Sequence, residues 1–192
     1  MRPMGTQGTK GDTMTKASGR KAHSNGAQFE DYLERVIFAE ALRSGYFARV
    51  DKQNPTYFAT RSRAGVTFKP RAASGADWIA LGGNHCTWNY IAIEAKHTND
   101  KSLALSELKP DQIAHLNAAE EAGQLGLLLV RFEVFTYACR WSSSLFTSSG
   151  SGFSIKRANL PPRTEILADR TLADILNTWS RTARRSRQTT PA

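Results

Sequence analysis

The chain has 192 residues, of which 40% are hydrophobic, and it carries a net charge of +9 with a pI of about 9.9. This length and apolar content can build one domain with a substantial core, and the positive charge indicates a polyanionic partner. No apolar run is long enough to span a bilayer, and no apolar signal segment lies near Met1. The two cysteines, Cys86 and Cys139, are too few for a disulfide scaffold. A membrane protein and a secreted protein are therefore not expected, and a cytoplasmic location with reduced thiols is predicted.

The positive charge is concentrated near the two ends of the chain. Residues 1–26 contain five basic side chains against Asp12, and residues 181–192 contain four arginines and no acid. The first 24 residues are rich in Gly, Thr, Lys and Ser, so they bury too little apolar surface to offset the entropy of ordering. We predict a disordered basic arm over 1–24 and a disordered basic tail over 181–192, on either side of a domain over 25–180. Such ends can hold DNA phosphates or serve solubility alone.

The first element of the predicted domain is a helix over 27–43. Phe29, Leu33 and Ile37 recur at a spacing of four residues, which is typical of one buried helical face. Gly45 follows the last apolar residue and marks the end of the helix.

Three short strand-like runs follow, over 46–50, 56–60 and 66–70, and Pro55 and Gly65 punctuate them. Basic and aromatic side chains alternate here, which suits a surface that follows phosphates and stacks on bases. A polar meander with an aromatic core side is an equally good interpretation. The candidate DNA contacts in this interval are Lys52, Arg61, Arg63, Lys69 and Arg71.

The stretch 77–96 predicts two strands joined by a polar, glycine-containing turn. Asp77 opens the first strand, and Glu94-Ala95-Lys96 closes the second. Because side chains alternate along a strand, Glu94 and Lys96 share one face, while Ile93 and Ala95 face the other way. If the strands pair, Asp77 can lie beside Glu94.

Two carboxylates and an ammonium would then converge on one small volume. That combination suits Mg²⁺, which takes oxygen ligands and commonly uses one or two carboxylates. A neighbouring lysine can orient a nucleophile or stabilise negative charge on a phosphate. The alternative is a solvated hairpin end in which Glu94 and Lys96 are surface charges.

After Lys96, residues 98–108 predict a polar connection, and a helix over 111–122 follows, with Pro110 in its first turn. Gly123 caps its end. Gln112 lies in the first turn, near where the Lys96 strand should end, and it is either a residue bonded to free backbone groups of that turn or part of the site. His97 follows Lys96 and would point away from it on a regular strand, so a surface or supporting role is expected for it, whereas His115, one turn after Gln112, is a weaker candidate for the same cleft.

The apolar run over 125–132 predicts a central strand that is buried on both faces. Residues 133–141 then return as an antiparallel edge strand. Arg131 and Arg140 on these strands could reach outward to DNA or extend along the strand surface to solvent.

The last part of the chain contains a predicted Ser/Gly-rich loop over 142–152 and a basic turn or short helix over 154–160. Lys156 and Arg157 in the latter are candidate DNA contacts. Residues 171–179 predict a short amphipathic helix. Together the elements predict a mixed α/β domain with helices on a central sheet and the carboxylates at one edge of that sheet.

Asp77 with Glu94-Ala95-Lys96 resembles the D-(x)n-E-x-K core of PD-(D/E)xK nucleases, although Ala76 replaces the usual preceding proline. The order of the flanking blocks narrows the resemblance. A helix with Gly26-Ala27-Gln28-Phe29-Glu30 precedes the core, and a helix with Asp111-Gln112-Ile113 follows it. Over roughly residues 24–160 this order is similar to that of RecU-type Holliday junction resolvases, including small phage-encoded ones.

The resemblance implies a restriction-endonuclease-like mixed sheet flanked by helices, a homodimer, branched DNA as substrate and Mg²⁺ as cofactor, with Mn²⁺ as a substitute. It implies that Asp77 and Glu94 hold the metal and that Glu30 helps to complete the site. Lys96 would position or activate water, and Gln112 would orient water or phosphate. It also implies a projecting segment, here a reduced β-protrusion near 52–72. The alternatives are a related nuclease for other branched or linear DNA, and a DNA-binding module without catalysis.

Overall fold

The computed structural model describes residues 25–53, 57–62, 65–70, 75–149, 152–167 and 169–188, and the predicted arm over 1–24 lies outside them. The helices are α1 (25–43), α2 (Pro110–Glu121) and α3 (Leu172–Gln188). The strands are β1 (Phe47–Lys52), β2 (Tyr57–Ser62), β3 (Gly65–Pro70), β4 (Trp78–Gly82), β5 (Tyr90–Thr98), β6 (Ser102–Ala104), β7 (Leu125–Phe132), β8 (Phe135–Arg140), β9 (Thr147–Ser149), β10 (Gly152–Lys156) and β11 (Glu165–Ile166).

The largest sheet has six strands in the order β1–β4–β5–β7–β8–β11. Strands β5 and β7 pair in parallel, and the other neighbours pair antiparallel. Strand β7 is almost fully buried, as expected for a strand covered on both faces. The predicted fold class, a mixed central sheet flanked by helices, is confirmed.

Helices cover both faces of this sheet. On one face α1 and α3 pack against the odd-numbered residues of β5, in a core that includes Phe29, Ile93 and Leu176. On the other face α2 packs against the even-numbered residues, with Ala92 and Leu116 in a second core. The predicted alternation along β5 is therefore confirmed, and Glu94 and Lys96 lie on the α2 face.

Helix α1 spans the predicted stretch and ends at Arg43, and Gly45 follows in the turn with a φ of +69°, which suits glycine just after a helix end. Its middle, Leu33–Phe38, has π-helical hydrogen bonding, which no pattern in the sequence predicts. Such wider turns recur near functional sites in proteins.

Strands β2 and β3 pair with each other in a two-stranded sheet separate from the central one. They correspond to the second and third predicted strands. Arg61 lies on β2 opposite Val66, and Lys69 lies on β3 opposite Phe58. The other two candidate contacts of this interval, Arg63 and Arg71, lie outside the described residues.

The interval 98–160 contains more strand than the sequence predicted. The connection over 98–108 contains β6, the loop over 142–152 contains β9, and most of the basic turn is strand β10, followed by a 3₁₀ turn over Arg157–Asn159. These strands form a three-stranded sheet in the order β6–β10–β9. Their pairing is between segments far apart in the chain, and short polar strands have little local signal, so a local pattern misses them.

Two boundaries near the end of the chain also differ from the prediction. Strand β8 is not an edge strand, because β11 pairs beyond it through Glu165 and Tyr137. Helix α3 continues past the predicted end at Trp179 to Gln188, so residues 181–188 of the predicted tail lie in this helix. Alanine and arginine are good helix formers, so a helix can continue after its apolar face has ended. Among the described residues no helix is both long and apolar enough to cross a membrane.

Candidate active site

The pairing of β4 with β5 brings Asp77 beside Glu94. Asp77 directly precedes β4, and the next residue, Trp78, is opposite Ile93 on β5. The backbone N–H of Ala95 donates to Asp77 Oδ2 at 3.1 Å, and the N–H of Gln53 donates to the Asp77 carbonyl oxygen at 2.8 Å. The Asp77 carboxylate is therefore fixed against the strand that carries Glu94 and Lys96.

Glu94 is a fully buried carboxylic acid in the middle of the sheet. Its Oε1 accepts a hydrogen bond from Gln112 Nε2 and lies 2.8 Å from Lys96 Nζ. Its Oε2 is buried and has no hydrogen-bond partner within the described part of the chain. Burial, with a further contribution from Asp77, raises the pKa of Glu94 to about 8, although Lys96 acts to lower it. The arrangement leaves an acceptor oxygen free in a place that favours an added cation.

Gln112 connects the site to the first turn of α2. Its Oε1 accepts from the backbone N–H of Lys109 at 2.9 Å and from Lys96 Nζ at 3.3 Å, while its Nε2 donates to Glu94. This one side chain therefore bonds a free backbone group of the helix start and also contacts two of the candidate site residues, while its role toward water or phosphate stays a prediction. Lys96 is 20% exposed, so its ammonium lies between the buried carboxylate and solvent.

The sequence had predicted that the carboxylates lie at one edge of the sheet, and this prediction is wrong. They lie between the inner strands β4 and β5, because β1 pairs outside β4. The sequence predicted a strand near 46–50 but gave no information about its partner.

Glu30 lies on α1 and contacts a different lysine. Lys52 Nζ is 3.0 Å from Glu30 Oε2 and 2.9 Å from Glu34 Oε1. Glu34 also accepts from Trp78 Nε1 at 3.2 Å, and Lys52 lies over the Trp78 ring at 5.3 Å. The hydrogen bond from Lys52 lowers the pKa of Glu34.

The structure thus brings four of the predicted site residues together, namely Asp77, Glu94, Lys96 and Gln112. It places the fifth, Glu30, beside Lys52, a residue that the sequence had suggested as a DNA contact.

Gly75, two residues before Asp77, is closely packed against His115 of α2. Gly75 has a φ of +83°, and a Cβ atom there would lie 2.0 Å from His115 Nδ1. The other ring nitrogen, Nε2, is 2.5 Å from the hydroxyl oxygen of Tyr90. His115 therefore supports the backbone that leads into Asp77. The small residues Gly75 and Ala76 before Asp77 permit this close approach, but no pattern in the sequence indicated Tyr90.

His97 lies on the opposite face of β5 from Lys96, as its position in the strand predicted. Its ring is 6.3 Å from the ring of Phe29. Burial, with a smaller contribution from the charge of Arg131, lowers the pKa of His97. The residue belongs to the α1 side of the sheet.

Lys156 at the end of β10 and Arg157 in the turn after it line a separate groove of about 630 Å³, together with Lys101 and Tyr137. Lys156 is exposed there. The Arg157 guanidinium lies 3.7 Å from the centroid of Phe135, and its Nε donates to the Tyr137 hydroxyl oxygen at 3.2 Å. The predicted DNA contacts of Lys156 and Arg157 stay predictions.

The donor set at Asp77 and Glu94 fits a hard divalent cation. Within the described residues no group of three or more His, Cys, Asp or Glu side chains could hold a metal, so the protein offers two carboxylates. Mg²⁺ is commonly held by one or two carboxylates, with water and phosphate oxygens completing its coordination. The buried and unpartnered Oε2 of Glu94 is the feature that fits this chemistry best.

Comparison with known proteins gives one family. Residues 61–151 match the model of the RecU family, recombination protein U. The predicted RecU resemblance is confirmed. The RecU match contains the four clustered residues, Asp77, Glu94, Lys96 and Gln112, whereas Glu30 precedes it and Lys156 and Arg157 follow it.

Two further comparisons complete this result. A search of curated proteins found no match. Among solved structures, the chain is similar to Archaeoglobus fulgidus Hjc, a Holliday junction resolvase from an archaeal hyperthermophile, with a TM-score of 0.42 and 18% identity. That similarity covers 69% of this chain and 89% of the Hjc chain.

Proposed function

We propose that the protein is a Mg²⁺-dependent, structure-specific endonuclease that resolves four-way (Holliday) DNA junctions by paired hydrolysis of phosphodiester bonds. The observation that carries this proposal is the buried Glu94, which is bound to Lys96 and Gln112 and retains one unpartnered oxygen next to Asp77. The RecU match over the same residues supports it. The net charge of +9 favours a polyanionic substrate.

Asp77 and Glu94 would hold the Mg²⁺ ion, and Mn²⁺ would substitute for it. When bound, the ion supplies a water of lowered pKa and offsets negative charge on the phosphate. Asp77 keeps its orientation through the hydrogen bond from Ala95. Glu94 is held by two donors on one oxygen, which directs the other oxygen away from them.

Lys96 positions the attacking water and stabilises the charge that develops on the phosphate. Its ammonium contacts both Glu94 and Gln112 and is still partly exposed, so it is fixed in place and can reach a substrate. Gln112 orients Lys96 and Glu94 together. In this proposal Glu30 helps to complete the metal and water site, which requires that it leave or share its contact with Lys52.

Paired cleavage requires two equivalent sites. A four-way junction has two-fold symmetry when it is bound, and a homodimer with a two-fold axis presents two copies of the same site to it. The basic residues of β2 and β3, together with Lys156 and Arg157, are the proposed contacts to the DNA arms.

The test is cleavage of a synthetic four-way junction with Mg²⁺, beside a linear duplex of matched sequence. Wild type should make symmetric nicks near the branch point, and Asp77→Asn should make none. Asp31→Asn is the matched control, because Asp31 is an exposed acid of α1 that pairs with Arg35 at 2.6 Å. Equal cutting of the linear duplex would support a nuclease but contradict its specificity for four-way junctions. Binding without any metal-dependent cleavage by wild type would refute the enzyme and leave a DNA-binding module.

A further inference from the structure

Arg131, near the end of β7, is a partly buried cation without an acidic partner among the described residues. Its guanidinium carbon lies 5.8 Å from the ring centroid of Phe29 and 5.4 Å from that of Tyr32, both on α1. Its Nε atom is buried and has no hydrogen-bond partner within the described part of the chain. A donor in this position normally has an acceptor, because leaving it unpaired costs free energy.

Two other arginines show what aromatic contact looks like when an anion is present. Arg140 lies over Trp88 at 5.9 Å and also pairs with Glu120 at 2.8 Å. Arg157 lies over Phe135 and also faces Glu133 at 3.5 Å. In both cases the guanidinium has an aromatic ring and a carboxylate as neighbours. Arg131 has the rings but no carboxylate among the described residues, so its terminal donors are available to an anion.

The position of Arg131 in the sheet indicates which anion it could bind. Arg131 is opposite His97 across the parallel pair β5–β7, and His97 directly follows Lys96. Adjacent strands are about 4.8 Å apart, so the backbone of Arg131 is one strand away from the end of the proposed active site. Lys96 points to the α2 face and Arg131 to the α1 face, so the two cations flank the same end of β5.

We propose that Arg131 binds a backbone phosphate of the DNA strand that is cut, next to the phosphate held at Lys96. This inference rests on the proposed nuclease function. Guanidinium groups bind phosphate through two parallel hydrogen bonds, and here the two terminal nitrogens would be the donors, because Nε is buried. The rings of Phe29 and Tyr32 hold the guanidinium plane in place before DNA binds, so Arg131 acts as a positioning residue for the strand.

The experiment is equilibrium binding of the full chain to a four-way junction in EDTA, which prevents cleavage, over a series of salt concentrations. Arg131→Gln should weaken binding about tenfold, and the slope of log affinity against log salt should fall by about 1. Arg140→Gln is the matched control and should leave the slope unchanged, since Glu120 already neutralises Arg140. Arg131→Lys should keep the slope and lose only part of the affinity, because lysine keeps the charge without the paired hydrogen bonds.

Thermal unfolding of each variant separates a loss of folding from a loss of contact. A ¹⁵N NMR titration of wild type gives a second readout, in which the Nε–H signal of Arg131 should shift when DNA is added. A folded Arg131→Gln with the wild-type salt slope, or an unchanged Nε–H signal at saturating DNA, would overturn the proposal. Wild type that binds DNA but does not cleave it would refute the nuclease while leaving this contact intact, and wild type that binds no DNA would overturn both.

Discussion

Two clusters on opposite faces of the sheet contain the same lysine–carboxylate contact and differ in the pKa of the acid. In the α1 cluster, Lys52 is 2.9 Å from Glu34, and the lysine's hydrogen bond lowers the pKa of that acid. In the α2 cluster, Lys96 is 2.8 Å from Glu94, and burial nevertheless raises the pKa of that acid to about 8. Glu34 is 43% exposed and Glu94 is 0% exposed.

The difference shows that an ion pair by itself does not determine the state of a carboxylate. One lysine is enough to keep an acid ionised when water also solvates it. It is not enough to keep the pKa at its ordinary value when the acid has lost its water and has a second carboxylate beside it. The α1 cluster already holds a cation, Lys52, between two acids. The α2 cluster likewise has one lysine and two acids, but Glu94 is buried and its Oε2 has no partner among the described residues. We interpret that oxygen, beside Asp77, as the place for a divalent cation.

The largest expected effect distinguishes the two clusters by activity. Glu94→Gln should lower the rate of junction cleavage by a factor on the order of 10³, because it removes a ligand carboxylate. Glu34→Gln makes the same chemical change beside the other lysine and should alter the rate only a few-fold. Single-turnover cleavage measures both. Similar losses in the two variants would show that the clusters are functionally equivalent, and the distinction would then be wrong.

A second effect concerns the backbone that leads to Asp77. Gly75→Ala places a Cβ at 2.0 Å from the His115 ring, whereas Gly123 has a similar positive φ of +70° and open space around its Cβ direction. Both changes strain the backbone by about 1–2 kcal/mol, because alanine disfavours a positive φ. Gly75→Ala should in addition lower cleavage by roughly tenfold to a hundredfold, because Asp77 is displaced. Gly123→Ala should keep the wild-type cleavage rate, and a parallel loss there would mean that backbone strain alone explains the effect.

The third prediction uses the pH dependence of stability. Because the folded-state pKa of Glu94 is raised, the protonated acid is favoured in the fold, and its stabilising contribution is lost as pH rises from the ordinary value of 4.5 toward about 8. Glu94→Gln, which mimics the protonated form, should therefore be more stable than wild type at about pH 9. The difference should reach a few kcal/mol, since a tenfold change in an ionisation constant is about 1.4 kcal/mol.

The stability advantage of the Glu94→Gln variant should shrink to nearly nothing at about pH 4, where the wild-type acid is protonated in both states. Urea unfolding of both proteins in EDTA at the two pH values measures it. A difference that does not change with pH would contradict the raised pKa of Glu94.

The smallest expected effect is the change in stability caused by Glu34→Gln, and its sign is opposite to that expected for Glu94→Gln. The lowered pKa of Glu34 means that its contribution to stability is present above its ordinary pKa and is lost as pH falls through the lowered value. Glu34→Gln should destabilise the fold at neutral pH by less than about 1 kcal/mol, because exposed ion pairs contribute little. The same unfolding series should show the loss disappearing in acid, and added salt should reduce it.

Local patterns in the sequence were enough to predict the elements that form the site. The alternation of Ile93 and Ala95 with Glu94 and Lys96 is a property of one strand, so it predicted which side chains share a face. Helix α2 carried its own start and end signals, a proline in its first turn and a glycine after its last. The resemblance of the D-E-x-K pattern then added Gln112 to the candidate site, and the structure places its amide against Glu94.

Features that depend on contacts between distant segments were not predictable in this way. The pairing of β1 outside β4 determines that Lys52 lies beside Glu30 and Glu34, and no local pattern reports that pairing. The polar strands β6, β9 and β10 lie where the sequence predicted loops or turns, for the same reason. The unpartnered oxygen of Glu94 depends on the packing around it, which a sequence pattern does not describe.

The most direct test of a cation site at Glu94 is the pKa of this residue in the folded protein, measured by NMR of its ¹³C-labelled carboxyl group without and with Mg²⁺. We expect a pKa of about 8 without the ion and a clearly lower pKa with it, because the cation stabilises the ionised form. We also expect Asp77→Asn to remove this response to Mg²⁺. A pKa near the ordinary value that Mg²⁺ does not change would contradict the claim that this buried carboxylate is a cation site.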